Sequence, residues 1–161
     1  MKKLLALLLG CASVEAKSVV TDDYLDKVAM IESNFNYDAV GDKGKALGAY
    51  QMHYAAWNEG CVRLAHTSSC RDHWLGFADK HKELAKDPII SRMVCKAYLE
   101  VLENQMKKDP WNKTGVTPIS LYMAYNMGYT GAYAYRFKYD NLSLDSRRRS
   151  ILMRANYIFS R

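Results

Sequence analysis

Hydrophobic positions along the chain recur mainly at helical spacing. Thr21, Asp22 and Asp23 open the first such segment, a hydroxyl cap followed by acids at the positive end of the helix dipole. Leu25, Val28 and Ala29 then form an apolar stripe. The clearest segment starts at Asp87-Pro88, a cap and a first-turn proline. Ile90, Met93, Val94, Ala97, Tyr98, Val101 and Leu102 follow in phase, predicting one long amphipathic helix to about Lys108, stopped by Asp109-Pro110. Trp111 to Thr117 reads as a linker, and Pro118 opens a helix from Ile119 to about Met127. Leu144 to Phe159 reads as a terminal helix with Ile151, Leu152, Ala155 and Ile158 on its apolar side. Met52 to Trp57 is a short helix or turn, and Asn58 to Asp79 is irregular by pattern. Tyr133, Tyr135, Phe137 and Tyr139 alternate as a strand would. The loop over 36–50 has room for one short hairpin. No repeats or low-complexity tracts interrupt the pattern.

One position breaks the rule. The next place on the stripe of the first helix is Glu32. Burying an ionised carboxylate is costly, and both desolvation and the negative helix end raise its pKa. A general acid working near neutral pH needs such a shift. The alternative is an early helix end with Glu32 solvated. After Glu32 the chain runs into a loop of small residues, Gly41, Gly44, Ala46 and Gly48, ending on the amide of Gln51.

The chain has 161 residues, 49% hydrophobic and 25% charged, which suits one soluble domain with a substantial core. Residues 1–16 stand apart from residues 17–161. Lys2 and Lys3 precede the apolar run Leu4 to Leu9, and Val14-Glu15-Ala16 makes a small-residue cleavage site. This reads as a signal peptide, too short to remain as a spanning helix. Leu8-Leu9-Gly10-Cys11 also resembles a lipoprotein box, in which Cys11 would carry a lipid; simple secretion is the preferred reading. Removing residues 1–16 lowers the formal charge from +6 to +5. A basic exported protein suits an anionic polymer such as a cell wall. Nucleic acid is not expected, because no binding motif is present and the basic residues are scattered. The one basic run, Arg147-Arg148-Arg149, reads as a solvated helix face. Asn112-Lys113-Thr114 and Asn141-Leu142-Ser143 match glycosylation acceptors, relevant only in a eukaryotic host.

Cys61, Cys70 and Cys95 remain after cleavage. In an oxidising compartment one disulfide is expected, Cys61 to Cys70 first and Cys70 to Cys95 second, with Cys95 otherwise a small buried hydrophobe. Cys61, His66, Cys70, His73 and His81 alternate like metal ligands, but their spacing fits no familiar zinc module. Neither a metal nor a cofactor is expected.

Glu32-Ser33, the segment GKALGAYQ (Gly44 to Gln51) and Ala124-Tyr125-Asn126-Met127-Gly128 occur in an order that resembles the three signature blocks of the soluble lytic transglycosylases, relatives in fold of goose-type lysozymes. The resemblance covers Tyr24 to about Gly131. Two departures bear on sugar preference: Tyr50 stands where that family usually has Met, and Gly128-Tyr129-Thr130-Gly131 replaces its usual Gly-Pro-Gly. The resemblance implies a mainly α, lysozyme-like α+β fold, a helical bundle with at most one short β-hairpin. It also turns the aromatic stretch 131–139 into a helix or turn. It implies cleavage of the β-1,4 bond between N-acetylmuramic acid and N-acetylglucosamine in peptidoglycan, in the periplasm or outside the cell, by a monomer. Glu32 would be the single catalytic acid, and Ser33 would hold it. Gly48, Tyr50, Gln51, Tyr125 and Asn126 would grip the sugar. A hydrolytic lysozyme is the nearest rival and needs a group to position water. Asp38, Asp42 and Glu59 are the nearby acids, Asp42 reading as a turn residue. A non-catalytic wall-binding protein on the same scaffold is the other rival.

Overall fold

The computed structural model describes residues 17–110, 112, 115–141 and 143–161. The leader over 1–16, its Cys11 motif, Trp111 and parts of both glycosylation acceptors lie outside the described residues.

The order of elements is mainly helical, with one small sheet. Helix α1 (Asp22–Ser33) starts where Thr21 Oγ1 accepts the Tyr24 amide and ends at Asn34, which takes the left-handed conformation. Strands β1 (Val40–Gly41) and β2 (Ala46–Leu47) pair antiparallel, Val40 opposite Leu47 and Gly41 opposite Ala46. This is the single short hairpin that the 36–50 loop was expected to hold. Helices α2 (Tyr54–Thr67), α3 (Arg71–Ala78) and the one-turn α4 (His81–Leu84) follow. Helix α5 (Pro88–Lys108) is the longest, and its Asp87 cap accepts the amides of Ile89 and Ile90. Helix α6 (Pro118–Met127) opens with a reciprocal Thr117–Ser120 cap, then come α7 (Tyr129–Ala134) and α8 (Ser146–Phe159).

Helices α5 and α6 form the centre. The core gathers Leu25 and Val28 of α1, Trp57 and Cys61 of α2, Val94, Leu99 and Leu102 of α5, and Leu121 and Met123 of α6. Leu152 and Ala155 of α8 close it from the other side. Gly60 permits the α2–α5 contact: a Cβ there would lie 2.5 Å from the Val94 carbonyl oxygen. The Glu103 carboxylate, itself buried on α5, accepts the Ser18 hydroxyl and the Val19 amide, which ties the start of the described chain to the core.

Two expectations need correction. Residues 58–79 are helical over most of their length, because Trp57, Cys61, Leu64 and Ala65 share one inward face that the polar outer face of α2 conceals. Neither expected disulfide is formed: Cys61, Cys70 and Cys95 are all free. Cys61 is buried on the inner side of α2, whereas Cys70 is exposed at the cap of α3, and Cys95 is buried in α5. The aromatic stretch is a helix followed by turns, with Arg136 and Phe137 both at φ 54°. No helix among the described residues is long and apolar enough to cross a membrane.

Candidate active site

The last turn of α1 brings Glu32 to the wall of a cleft of about 760 Å³. The cleft lies between that turn, the loop from Asp42 to His53, the end of α6 and the start of α8. Glu32 is half-buried, and its Oε1 accepts a hydrogen bond from the Tyr122 hydroxyl at 2.8 Å. Burial is the dominant influence and raises the Glu32 pKa above the ordinary glutamate range. The Tyr122 hydroxyl, the positive charge of Arg154 and a hydrogen bond with Asn126 act in the opposite sense and favour the carboxylate. Arg154 reaches over from α8, donating to the Ile31 carbonyl at 3.2 Å. It thereby satisfies one of the terminal carbonyls of α1. Tyr122 and Asn126 are one turn apart on α6, so one helix face presents both partners to Glu32. Burial and the neighbouring Glu32 both push the Tyr122 hydroxyl far above its usual pKa, so it remains a donor.

The glycine-containing loop folds back on itself to form the floor. Leu47 and Met52 exchange backbone hydrogen bonds at 3.2 Å, and the Gly48 amide donates to Ala39 O. Gly48 has φ +72°, and a Cβ on it would fall 1.9 Å from the Ala85 carbonyl oxygen. Gln51, at φ 47°, turns its amide inward to donate to Gly48 O at 2.9 Å and Ala39 O at 3.3 Å. Its Oε1 occupies the space that a Cβ at Gly41 would need, 2.2 Å away. Gly48 is thus required by close backbone approach at positive φ, whereas at Gly41 it is the Gln51 side chain that fills the space of a Cβ.

The structure places the expected site residues in two groups. Glu32, Gln51, Tyr125 and Asn126 line the cleft together. Ser33, Gly48 and Tyr50 do not line it. The Ser33 hydroxyl donates to Ala49 O at 2.9 Å and accepts the Asn36 amide, so it fastens α1 to the loop and does not bond Glu32. Tyr50 is buried, its hydroxyl accepts from Arg92, and its carbonyl accepts the Tyr125 hydroxyl. The Cys95 thiol, raised by burial, also points at the Tyr125 hydroxyl, 3.8 Å away.

Tyr122, which bonds Glu32 from behind the cleft wall, was not singled out for the site in the sequence. Tyr122 looks like one more core aromatic of α6, although its spacing to Asn126 was a usable signal. Asp42 and His53 also line the cleft and pair at 3.2 Å. Of the other two nearby acids, Asp38 pairs with Lys86 and Glu59 is not on the cleft wall. Arg147 and Arg148 line the cleft as well, so the solvated face read for the arginine run, on which Arg147 is exposed, opens onto the site; Arg149 instead donates to the Leu144 carbonyl. The alternating Cys and His residues form no metal centre: no group of three or more such ligands comes together among the described residues. His81, one of them, is buried with Nε2 3.0 Å from Met52 O.

No curated protein and no solved structure matches the chain. The family model of the Transglycosylase SLT domain matches residues 12–141, from before α1 to beyond α7 and thus across Glu32, the glycine-containing loop and the Tyr125-Asn126 pair. That stretch is most of the chain, and on it the protein belongs to the SLT transglycosylase family, whose members cleave glycosidic bonds of peptidoglycan.

Proposed function

We propose that the protein is a lytic transglycosylase that cleaves the bond between N-acetylmuramic acid and N-acetylglucosamine, with Glu32 as its single acid and base. The observation that carries this reading is the environment of Glu32. Its carboxyl is half-buried on the cleft wall, shifted by burial toward the protonated form, and bonded by groups that stabilise the anion once the proton has left. A carboxyl so placed donates its proton to the glycosidic oxygen as the bond breaks. The resulting carboxylate, held by Tyr122 and Asn126, then takes the proton of the muramic C6 hydroxyl, and that oxygen closes the 1,6-anhydro ring. The substrate's own acetamido group stabilises the cationic centre between the two steps. No second catalytic carboxylate is required, unlike the usual glycosidase pair.

Asn126 presents a polar group to the sugar, while Gln51 and Tyr125, whose amide and hydroxyl bond the loop backbone, shape the cleft wall. Ser33, Gly48 and Tyr50 act from behind, by fixing the loop and the end of α1. Peptidoglycan lies outside the cytoplasmic membrane, so the site of action is periplasmic or extracellular, and residues 1–16 serve as the export leader.

Asp42 supports a second reading. It is the acid of the loop that shares the cleft with Glu32, and it could orient a water molecule in place of the C6 hydroxyl. Mass spectrometry of fragments released from purified peptidoglycan separates the two. Anhydromuramyl ends uphold the transglycosylase, whereas reducing muramic ends that vanish in Asp42→Asn establish a hydrolase.

A further inference from the structure

The run Arg147-Arg148-Arg149 stands in the first turn of α8, where the dipole is positive and cations are unfavourable. No acid occupies that turn; the Asp145 cap accepts the Arg148 amide at 2.9 Å. A basic run at this end of a helix therefore costs stability locally and calls for another explanation. Arg149 has one, since it donates to the Leu144 carbonyl. Arg147 and Arg148 face the cleft that holds Glu32. Arg148 is only loosely paired, 3.9 Å from Asp145 Oδ2, and Arg147 has no hydrogen-bond or ion-pair partner among the described residues. Helix α8 also lies beyond the stretch matched by the family model, so these arginines are a feature of this chain outside that match.

We infer that Arg147 and Arg148 form an anion subsite that receives a carboxylate hanging from the glycan strand. This rests on the proposed peptidoglycan substrate and names what distinguishes it from an uncharged polymer of N-acetylglucosamine. The muramic ring carries its lactyl ether, and through it the stem peptide, on the same ring whose anomeric carbon is attacked. A strand lying along the cleft with its scissile bond at Glu32 thus brings carboxylates to the neighbouring wall. Guanidinium groups suit them, because two parallel N–H donors match the two carboxylate oxygens. The carboxylate is either that of the stem peptide or, where the peptide has been removed, the lactyl group itself.

The test uses binding by protein carrying Glu32→Gln, so that ligand is not consumed, with and without Arg147→Gln and Arg148→Gln. Removing cations from the first turn of α8 should leave the fold intact or slightly more stable, which thermal unfolding checks. Three soluble ligands are compared: peptide-bearing glycan fragments, strands stripped of peptide, and chitin oligomers. The expected result is binding of the peptide-bearing fragments about tenfold weaker, with a shallower salt dependence, and unchanged binding of chitin oligomers. An equal loss on stripped strands identifies the lactyl carboxylate, and a loss confined to the first ligand identifies the peptide. Equal weakening on all three, or on none, overturns the subsite. Cleavage by the otherwise unaltered protein is followed in parallel. Arginine-dependent binding without cleavage keeps the subsite and removes the enzymatic reading; cleavage without arginine dependence does the reverse.

Discussion

Replacing Tyr122 by Phe removes one atom from the site, the hydroxyl oxygen 2.8 Å from Glu32 Oε1. The ring stays against Tyr125 and Phe159, so packing in α6 is preserved. A hydrogen bond to a charged group contributes about 1.5–3 kcal/mol. Glu32 becomes negative as it protonates the leaving oxygen, so part of that stabilisation is absent from the variant's transition state. A loss of about 1.4 kcal/mol corresponds to a roughly tenfold slower kcat. The pH dependence has a definite sign. Tyr122 favours the carboxylate, so without it the Glu32 pKa rises further, and the alkaline limb of activity moves to higher pH. The assay is initial release of soluble fragments from peptidoglycan across pH, with urea unfolding in parallel. A variant with wild-type kcat and an unmoved alkaline limb would refute the assignment of Glu32 as the titrating acid.

Three further outcomes follow from the same structure. Burial raises the folded-state pKa of Glu32, so the native protein binds this proton more tightly than the unfolded chain; that contribution is complete below the ordinary glutamate pKa of 4.5 and is lost as pH rises through the folded value. Glu32→Gln should therefore be more stable than wild type at neutral pH, by on the order of 1 kcal/mol in urea titrations, and the difference should close below that range. Gly48→Ala should destabilise by at least about 2 kcal/mol in the same assay, since it combines positive φ with a collision on the Ala85 carbonyl. In native protein lacking residues 1–16, Cys70 alone should react rapidly with a thiol reagent, because Cys61 and Cys95 are buried and burial pushes the Cys61 thiol up to about 12; an unreactive Cys70 would signal a disulfide instead.

The parts of the fold that could be read from the chain are those where local chemistry and burial agree. Asp87-Pro88 and the stripe from Ile90 to Leu102 mark α5 because its cap, its period and its buried face coincide. Glu32 was legible for the opposite reason, as a carboxylate on an apolar face. Helices α2 and α3 were obscured because Gly60 looks like punctuation, whereas it marks a close helix crossing. Tyr122 and Arg154 were hidden by distance: each lies far from Glu32 in sequence and meets it only after α6 and α8 pack on α1. The glycine-containing loop shows a third case. Its small residues were legible, but Gly48 and Tyr50 serve the loop's own packing, and Gln51 and Tyr125 are the ones that reach the cleft.

The most direct measurement compares wild type and Glu32→Gln on purified peptidoglycan, following soluble fragments together with sedimentation of the protein with the wall. The account predicts that wild type solubilises the wall, that the variant is slower by about a thousandfold, and that both sediment equally. A Glu32→Gln protein that solubilises peptidoglycan within tenfold of the wild-type rate would contradict it.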